Sequence, residues 1–166
     1  MAAPRKLPYR PCVGIALANR HGQVWIGKRI GTRDSWQMPQ GGIDPGETPG
    51  DAVMRELQEE TGVTAAEVLA ESQSWYCYDL PTAVSGKALR GRYGGQKQRW
   101  FLLRFTGSDA DIDIRDHHQE FSAWRWAKPE EVVDLIVGFK RPVYEQVFAE
   151  FAPHLEVLAE SGKDRQ

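Results

Sequence analysis

The stretch Gly41-Gly42-Ile43-Asp44-Pro45-Gly46-Glu47 is rich in glycine, and it leads through Thr48 into a run that ends Arg55-Glu56-Leu57-Gln58-Glu59-Glu60-Thr61-Gly62-Val63. Thr48 is a favoured N-cap residue, Pro49 suits the first helical position, and Asp51 lies where a capping box places an acid. Gly62 is suited to end a helix in a left-handed conformation. The stretch therefore predicts a glycine-rich loop followed by a helix from about Pro49 to Thr61.

The predicted helix has an apolar stripe beside an acidic cluster. Val53 and Leu57 are four residues apart and predict a stripe that packs on a core. Glu56, Glu59 and Glu60 lie next to that stripe, and three such carboxylates repel one another unless a cation lies between them. Oxygen ligands without a nearby His or Cys favour Mg²⁺ over Zn²⁺, with Mn²⁺ as a substitute. Taken alone, Glu-x-x-Glu-Glu is more typical of a solvated acidic helix face than of a metal site.

The complete pattern is more specific than its acids. It reads Gly-x5-Glu-x7-Arg-Glu-Leu-x-Glu-Glu-x-Gly-Val and resembles the Nudix box of the Nudix hydrolases, with every specified position filled: Gly41, Glu47, Arg55, Glu56, Leu57, Glu59, Glu60, Gly62 and Val63. The resemblance implies metal binding by the three glutamates and Gly41, and catalytic roles for the glutamates and Arg55. Gly41, Glu47, Leu57 and Gly62 are expected to support the structure. At i,i+4 spacing, Arg55 is expected to pair with Glu59.

Composition limits the remaining classes of protein. The chain has 166 residues, of which 41% are hydrophobic, and this predicts one globular domain over residues 9–160 with an N-terminal extension, 1–8, and a flexible tail, 161–166. The formal net charge of −2 gives no overall attraction to nucleic acid, so any such contact needs a local patch. No segment approaches the roughly 18 apolar residues of a membrane span, and the N-terminus does not resemble a secretory signal, so we expect a cytoplasmic protein. Cys12 and Cys77 are predicted to be buried thiols.

The order of predicted elements gives the fold class. Strands are predicted at Cys12 to Ala18, Gln23 to Gly27, within Glu67 to Tyr78, at Trp100 to Phe105, and around Trp124 to Trp126. Helices are predicted from Pro129 to about Ile136 and from Pro142 onwards. This irregular alternation indicates an α+β fold with α/β/α layers. The Nudix resemblance makes the expectation specific, namely a mixed, curled sheet between helices.

A basic stretch precedes the strand at Trp100. Ser85 to Arg99 has no acid, and it carries Lys87, Arg90, Arg92, Lys97 and Arg99 between glycines. This composition predicts a mobile basic loop whose partner is anionic, such as the phosphates of a nucleotide or an RNA chain. The alternative is an ordinary solvated loop. Arg10 and Arg29 have the same two interpretations, surface solvation or phosphate binding beside the metal.

Motifs outside the box resemble one Nudix subfamily, the bacterial RNA pyrophosphohydrolases or (di)nucleoside polyphosphate hydrolases. They are Tyr9-Arg10-Pro11, Ser35 to Ile43, Gly95 to Phe101, Glu120-Phe121 with Trp124-Arg125-Trp126, and Phe139-Lys140-Arg141 with Val143-Tyr144. The resemblance implies that Glu120 is a further metal-binding and catalytic acid. It also implies substrate contacts, to phosphate or base, by Arg10, Arg29, Ser35, Tyr78, Lys97, Phe139 and Lys140. Asp79 and the loop from Thr82 to Gly94 depart from the subfamily pattern.

The first functional hypothesis is a Mg²⁺-dependent pyrophosphohydrolase that acts on the 5′-triphosphate end of RNA and leaves a 5′-monophosphate. It includes cleavage of dinucleoside polyphosphates as a further activity. The second hypothesis is an ATP-yielding hydrolase of diadenosine tetraphosphate or pentaphosphate with no role in RNA. The third is a Nudix-fold binding module without catalysis, which the intact acids Glu56, Glu59 and Glu60 disfavour. No membrane contact and no obligate protein partner are expected.

Overall fold

A mixed eight-stranded sheet lies at the centre of the protein, in a computed structural model that describes residues 7–31, 35–81, 92–115, 119–136 and 138–163. The strands are β1 (Tyr9–Ala18), β2 (Val24–Arg29), β3 (Trp36–Gln37), β4 (Gln40–Gly42), β5 (Ala66–Glu71), β6 (Tyr76–Asp79), β7 (Gly95–Phe105) and β8 (Phe121–Ala127). The α-helices are α1 (Pro49–Thr61), α2 (Pro129–Leu135) and α3 (Arg141–Lys163). Short 3₁₀ turns occupy Asp109–Asp111 and Gly138–Lys140.

Strands β1 and β7 form the long central pair of this sheet. They run parallel, in a register from Tyr9 opposite Gly95 to Ala18 opposite Arg104. The other strand pairs in the sheet are antiparallel, with β2 and β4 along β1, β3 and β8 along β2, and β5 and β6 along β7. The sheet is open, and β6 pairs with β7 alone among the strands that the structure describes.

Side chains that alternate along β1 and β7 build two cores. On one face, Val13, Ile15 and Leu17 pack with Val53 and Leu57 of α1. On the other face, a second cluster joins β1 and β7 to α3, with members Ala16, Trp100, Leu102, Tyr144, Val147, Phe151 and Leu155. The predicted α/β/α layering with a mixed sheet is therefore confirmed. Among the described residues, no helix has the length and apolar character needed to cross a bilayer.

Helix α1 forms where the capping residues predict it. The Thr48 hydroxyl accepts a hydrogen bond from the Asp51 backbone amide at 3.2 Å, and Pro49 is the first helical residue. Gly62 follows the helix with φ of 74°, and its amide donates to the Gln58 carbonyl. A side chain at Gly62 would be strained in this left-handed conformation. The predicted helix and both of its boundaries are confirmed.

Three predictions differ from the structure. Residues 95–99 are the start of β7 and not part of a mobile loop, because pairing with β1 and β6 satisfies their backbone groups. Cys77 is exposed and not buried, since its side chain is on the solvent side of the edge strand β6, whereas Cys12 is buried as predicted. Helix α3 continues to Lys163, so the first part of the predicted tail is helical. Residues 85–91 of the predicted basic loop, with Lys87 and Arg90 among them, lie outside the described residues.

Candidate active site

Arg55 holds the glycine-rich loop against helix α1. Its guanidinium forms a two-pronged ion pair with Glu47, with both N–O distances at 2.8 Å, and donates to the Gly42 carbonyl at 2.9 Å. It also donates to Glu56 at 3.0 Å and to Glu59 at 3.2 Å. The hydrogen bonds from Arg55, with a further one from a backbone amide, lower the pKa of Glu47 to about 2. The supporting contacts that the sequence suggests for Arg55 and Glu47 are present in this structure.

Replacing Arg55 with Lys tests this support, because an ammonium group cannot form the planar double contact with Glu47. We expect Arg55→Lys to lower the free energy of unfolding by on the order of 1–3 kcal/mol, the range for hydrogen bonds to charged groups. Turnover should also fall, since Glu56 and Glu59 lose the donor that orients them. The matched control is Arg141→Lys, which changes an arginine with an i,i+4 glutamate partner, Glu145, in α3. Urea unfolding curves with losses of equal size in the two variants would contradict the support role.

The Glu60 carboxylate is buried with one oxygen unsatisfied. The backbone amide of Gln40 donates to this carboxylate, but its Oε2 atom has no hydrogen-bond partner. Burial, and then the nearby charges of Glu56 and Glu120, raise the pKa of Glu60 well above its ordinary value of 4.5. An ionised carboxylate in this position is costly unless a cation compensates it. Glu60 is therefore suited to bind a metal ion.

Glu56 lies against the backbone of Gly41. A Cβ atom at Gly41 would lie 2.0 Å from the Glu56 carboxyl carbon, so the carboxylate fits there because position 41 is glycine. Burial raises the pKa of Glu56, and hydrogen bonding to Arg55 opposes this shift. As placed, Glu56 and Glu59 both bind Arg55, and no three acidic, His or Cys side chains converge into a metal site within the described ranges. The oxygen-only donors, the unsatisfied Glu60 and the close approach at Gly41 nevertheless fit a hard divalent cation.

These acids open into a cavity of about 390 Å³ between α1 and the 3₁₀ turn before α3. Nine of the predicted site residues line this cavity: Arg10, Arg29, Gly41, Glu56, Glu60, Tyr78, Glu120, Phe139 and Lys140. Two cavities of about 680 and 520 Å³ lie elsewhere, along α3. Neither is lined by the box acids, so chemistry and not size identifies the candidate site.

Another part of the cavity wall is aromatic and basic. The rings of Tyr78 and Phe139 pack with centroids 5.6 Å apart, and the Lys140 Nζ atom lies within 6 Å of both rings. Nζ donates to the Gln37 side-chain oxygen at 3.2 Å. Burial, and then the positive charge of Arg29, lower the pKa of Lys140 to about 8. This wall presents ring surface and a partly desolvated cation beside the acidic wall, which suits a nucleotide and its phosphates.

Other predicted site residues lie outside this cavity. Glu59 is on the exposed side of α1, where Arg55 binds it. Ser35 adjoins the site through its backbone carbonyl, which accepts from the Arg29 amide at 2.9 Å. Lys97 follows the lining residue Gln96 in β7, so its side chain points to the other face of the sheet. Glu47, Leu57 and Gly62 are part of the supporting structure.

A buried network of glutamine side chains beneath the site was not predicted from the sequence. The Trp100 indole donates to the Gln98 side-chain oxygen at 3.0 Å. The Gln98 amide donates to Gln96 at 2.9 Å and to Gln40 at 3.2 Å. Gln40 is also the residue whose backbone amide binds Glu60. The only sequence signal is the alternation of Gln96, Gln98 and Trp100, which places all three on one face of a strand.

Cutting this network without changing its volume should cost stability. Gln98→Met leaves the Trp100 indole and the side-chain oxygens of Gln96 and Gln40 without the Gln98 partner. Each buried group left unsatisfied costs on the order of 1–3 kcal/mol, so the free energy of unfolding should fall by at least that amount. Gln58→Met, on the exposed surface of α1, is the control and should change little. Urea unfolding of both variants measures the difference, and equal stabilities would show that the network contributes nothing.

Comparison with known proteins decides the family. The NUDIX domain profile matches residues 8–147, which is most of the chain. The chain belongs to the Nudix hydrolase family. The Nudix box identified in the sequence, from Gly41 to Val63, lies within this match. Nudix hydrolases generally use divalent metal ions, in agreement with the oxygen donors described above.

Similar Nudix proteins cover nearly all of the chain. The RNA pyrophosphohydrolase of Cereibacter sphaeroides (strain KD131 / KCTC 12085) is 53% identical over 155 residues, covering 92% of this chain and 96% of that protein. The RNA pyrophosphohydrolase of Bradyrhizobium sp. (strain ORS 278) is 54% identical over 157 residues, covering 88% and 94%. Among solved structures, the C. elegans Ap4A hydrolase binary complex superposes with a TM-score of 0.61 at 16% identity, covering 86% and 98%. This last similarity shows that the two proteins share the Nudix fold.

Proposed function

We propose that this Nudix protein is a Mg²⁺-dependent pyrophosphohydrolase that removes pyrophosphate from the 5′-triphosphate end of RNA and leaves a 5′-monophosphate. The observation that carries the proposal is one cavity lined both by the box acids Glu56 and Glu60 and by Lys140 with the Tyr78 and Phe139 rings. Relatives more than half identical over most of their length carry the name RNA pyrophosphohydrolase. A cytoplasmic location, where transcripts are found, is part of the same proposal.

The reaction needs both metal-binding acids and cationic side chains around the phosphate chain. A divalent cation, when bound, neutralises phosphate oxygens and lowers the pKa of a water molecule. Glu56, Glu59 and Glu60 would hold it, with further oxygen ligands from Glu120 and the Gly41 backbone. Mn²⁺ is the expected substitute for Mg²⁺, since both prefer oxygen ligands.

The remaining side chains would bind and orient the substrate. Arg10, Arg29 and Lys140 line the cavity and would bind phosphate oxygens that no cation contacts. The Tyr78 and Phe139 rings would stack on a base, which supplies affinity with little sequence selectivity. A carboxylate of the box would accept a proton from the attacking water. Arg55 acts through the acids that it orients.

A second candidate substrate is a dinucleoside polyphosphate, such as diadenosine tetraphosphate, cleaved asymmetrically to yield ATP. It would use the same acids and the same cavity. The similarity to an Ap4A hydrolase at 16% identity shows a shared fold and carries no substrate information. Direct competition between the two substrates is therefore the decisive assay.

The assay places Mg²⁺, a short RNA with a 5′-triphosphate, and diadenosine tetraphosphate in one reaction with the full-length protein. We expect RNA 5′-monophosphate to appear faster than ATP with AMP when specific rates are compared by product analysis. Faster release of ATP would show that the preferred substrate is the dinucleoside polyphosphate, and it would overturn the RNA proposal. Turnover of neither substrate would point to another nucleoside diphosphate derivative, with the box acids as the metal site.

A further inference from the structure

An exposed tryptophan lies beside two cationic side chains on the surface around β6 and β7. Trp75, which immediately precedes β6, has 38% of its surface exposed. The Lys97 Nζ atom lies 5.2 Å from the centroid of the Trp75 ring, and the Arg99 Cζ atom lies 5.8 Å from it. Both distances are within the roughly 6 Å range of cation–π attraction. We call the surface formed by Trp75, Lys97 and Arg99 the tryptophan patch.

Two contacts at the surface hold Arg99 in this arrangement. Its Nε atom donates to the Glu71 carboxylate at 3.2 Å, and its Nη1 atom donates to the Gln73 backbone carbonyl at 3.3 Å. Side chains that are already ordered lose less conformational freedom when they bind a ligand. The Glu71 carboxylate offsets one of the two positive charges. The patch therefore attracts an anion only at short range, and binding also needs contact with the Trp75 ring.

The tryptophan patch lies across the edge of the sheet from the Gln96 and Tyr78 side of the catalytic cavity, on the face of the sheet against which α1 packs. Gln96 and Tyr78 line the cavity, whereas Lys97 and Arg99 point to the opposite face of β7. Strand β6 pairs with β7 alone among the described strands, so it is the edge between the two faces. Trp75 is three residues before Tyr78, a distance of roughly 10 Å along an extended chain. A polymer that leaves the cavity past Tyr78 has one edge strand to cross before it reaches Trp75.

We propose that the tryptophan patch binds single-stranded RNA downstream of the 5′ end that occupies the cavity. A base stacks on the exposed part of Trp75, and backbone phosphates lie beside Lys97 and Arg99. Aromatic side chains next to positive charges are the usual means of binding a single strand without sequence preference. The inference rests on the proposed RNA function and deepens it. A dinucleoside polyphosphate has no chain beyond its second nucleoside, so the patch favours longer RNA.

The test compares triphosphorylated RNA of two lengths, a dinucleotide and an oligonucleotide of about twelve nucleotides, the latter within the range that single-strand sites cover. We expect Trp75→Ala to raise KM for the longer RNA by on the order of 10-fold, the size of one base-stacking contact. Its kcat, and both constants for the dinucleotide and for diadenosine tetraphosphate, should stay unchanged. Trp75→Phe keeps an aromatic ring and should restore most of the affinity.

Two arginines of β7 provide a matched pair of charge variants. Arg99 pairs with Glu71, and Arg104 pairs with Glu67 at the other end of the same strand pair. Arg99→Gln should raise KM for the longer RNA and reduce the slope of log affinity against log salt by about one, as loss of one phosphate contact does. Arg104→Gln removes an equal charge outside the patch and should leave both quantities unchanged.

Binding in the absence of turnover separates this inference from the proposed function. Fluorescence anisotropy of the same two labelled RNAs is measured with Glu59→Gln as background, with and without Trp75→Ala. Loss of affinity for the longer RNA alone supports the patch, even if the wild-type protein cleaves no RNA and the proposed function fails. An equal change for both lengths, or none for either, overturns the patch while leaving RNA cleavage by the wild-type protein intact.

Discussion

Replacing Glu59 with Gln is expected to reduce kcat by on the order of 10²–10⁴-fold, the range over which positioned acid–base groups contribute. The substitution keeps the shape of the side chain and removes one negative charge from the proposed metal ligands. Glu59 is exposed and bonds to Arg55 at 3.2 Å, so the fold should tolerate the change. Initial rates on triphosphorylated RNA and on diadenosine tetraphosphate, together with thermal unfolding, measure the two effects.

Helix α3 contains a matched control for this variant. Glu145 forms the same i,i+4 pair with Arg141, and its side chain is exposed to the same extent as that of Glu59, at 55%. Glu145→Gln should therefore change neither turnover nor Tm appreciably. Full activity in Glu59→Gln would remove Glu59 from the site, and an equal loss in both variants would indicate a general effect on the helices.

Replacing Glu60 with Gln should have opposite effects on catalysis and stability. Turnover should fall as in Glu59→Gln, but the metal-free protein should become more stable at neutral pH. Burial raises the pKa of Glu60, so the folded state binds its proton more tightly than the unfolded chain does. The ionised carboxylate therefore lowers the free energy of unfolding as pH rises above about 4.5, and this loss is complete above the raised pKa. The glutamine variant has no such loss.

Thermal unfolding between pH 4 and 8, in chelator and in Mg²⁺, measures this effect. We expect metal-free Glu60→Gln to exceed the wild-type protein at pH 7 by on the order of 1–3 kcal/mol, with each kcal/mol worth about 2–4 °C in Tm at this chain length. Mg²⁺ should raise the Tm of the wild-type protein and have a smaller effect on the variant. Parallel curves of Tm against pH for the two proteins would show that the ionised Glu60 carboxylate does not destabilise the metal-free protein.

Helix α1 was predictable in full because local signals determine it. Thr48, Pro49 and Gly62 define its two ends through backbone conformation and capping, which need no tertiary information. The apolar stripe of Val53 and Leu57 then determines which face packs on the sheet. Because Glu56 and Glu60 flank that stripe, helical spacing alone places their carboxylates at the margin of the core, where the cavity lies.

Residues 95–99 of the basic stretch before Trp100 form a strand and not a loop, because their structure depends on distant partners. Glycines and charges at positions 95–99 favour a loop locally, yet β1 lies alongside them and supplies a complete hydrogen-bonding edge. The same pairing decides that Gln96 points into the cavity and Lys97 away from it. Strand register cannot be read from composition, so the sequence identified a basic segment but not the face each side chain occupies.

The buried polar groups of the glutamine network and of Tyr144 also could not be predicted from the sequence. Tyr144 is fully enclosed in the core, yet its hydroxyl accepts a hydrogen bond from the Met38 backbone amide at 2.9 Å. A single aromatic residue on an amphipathic helix predicts packing but not such a bond. Gln96 and Gln98 likewise suggest solvent exposure, and the hydrogen bonds that join them to each other, to Gln40 and to Trp100 make their burial tolerable. Polar groups that satisfy one another across the fold leave no periodic signal in the sequence.

The parallel pairing of β1 with β7 also bears on how the protein folds. Tyr9 meets Gly95 and Ala18 meets Arg104, so the strands that carry Arg10 and Gln96 are joined by about half of the chain. Contacts of such long sequence separation slow folding, because the chain loses the entropy of closing the intervening loop before the strand pairing stabilises it. During synthesis, the helix with the acids emerges well before β7 does. The newly made chain can therefore form its acidic helix early, but it acquires a complete substrate cavity only after residue 140 has left the ribosome.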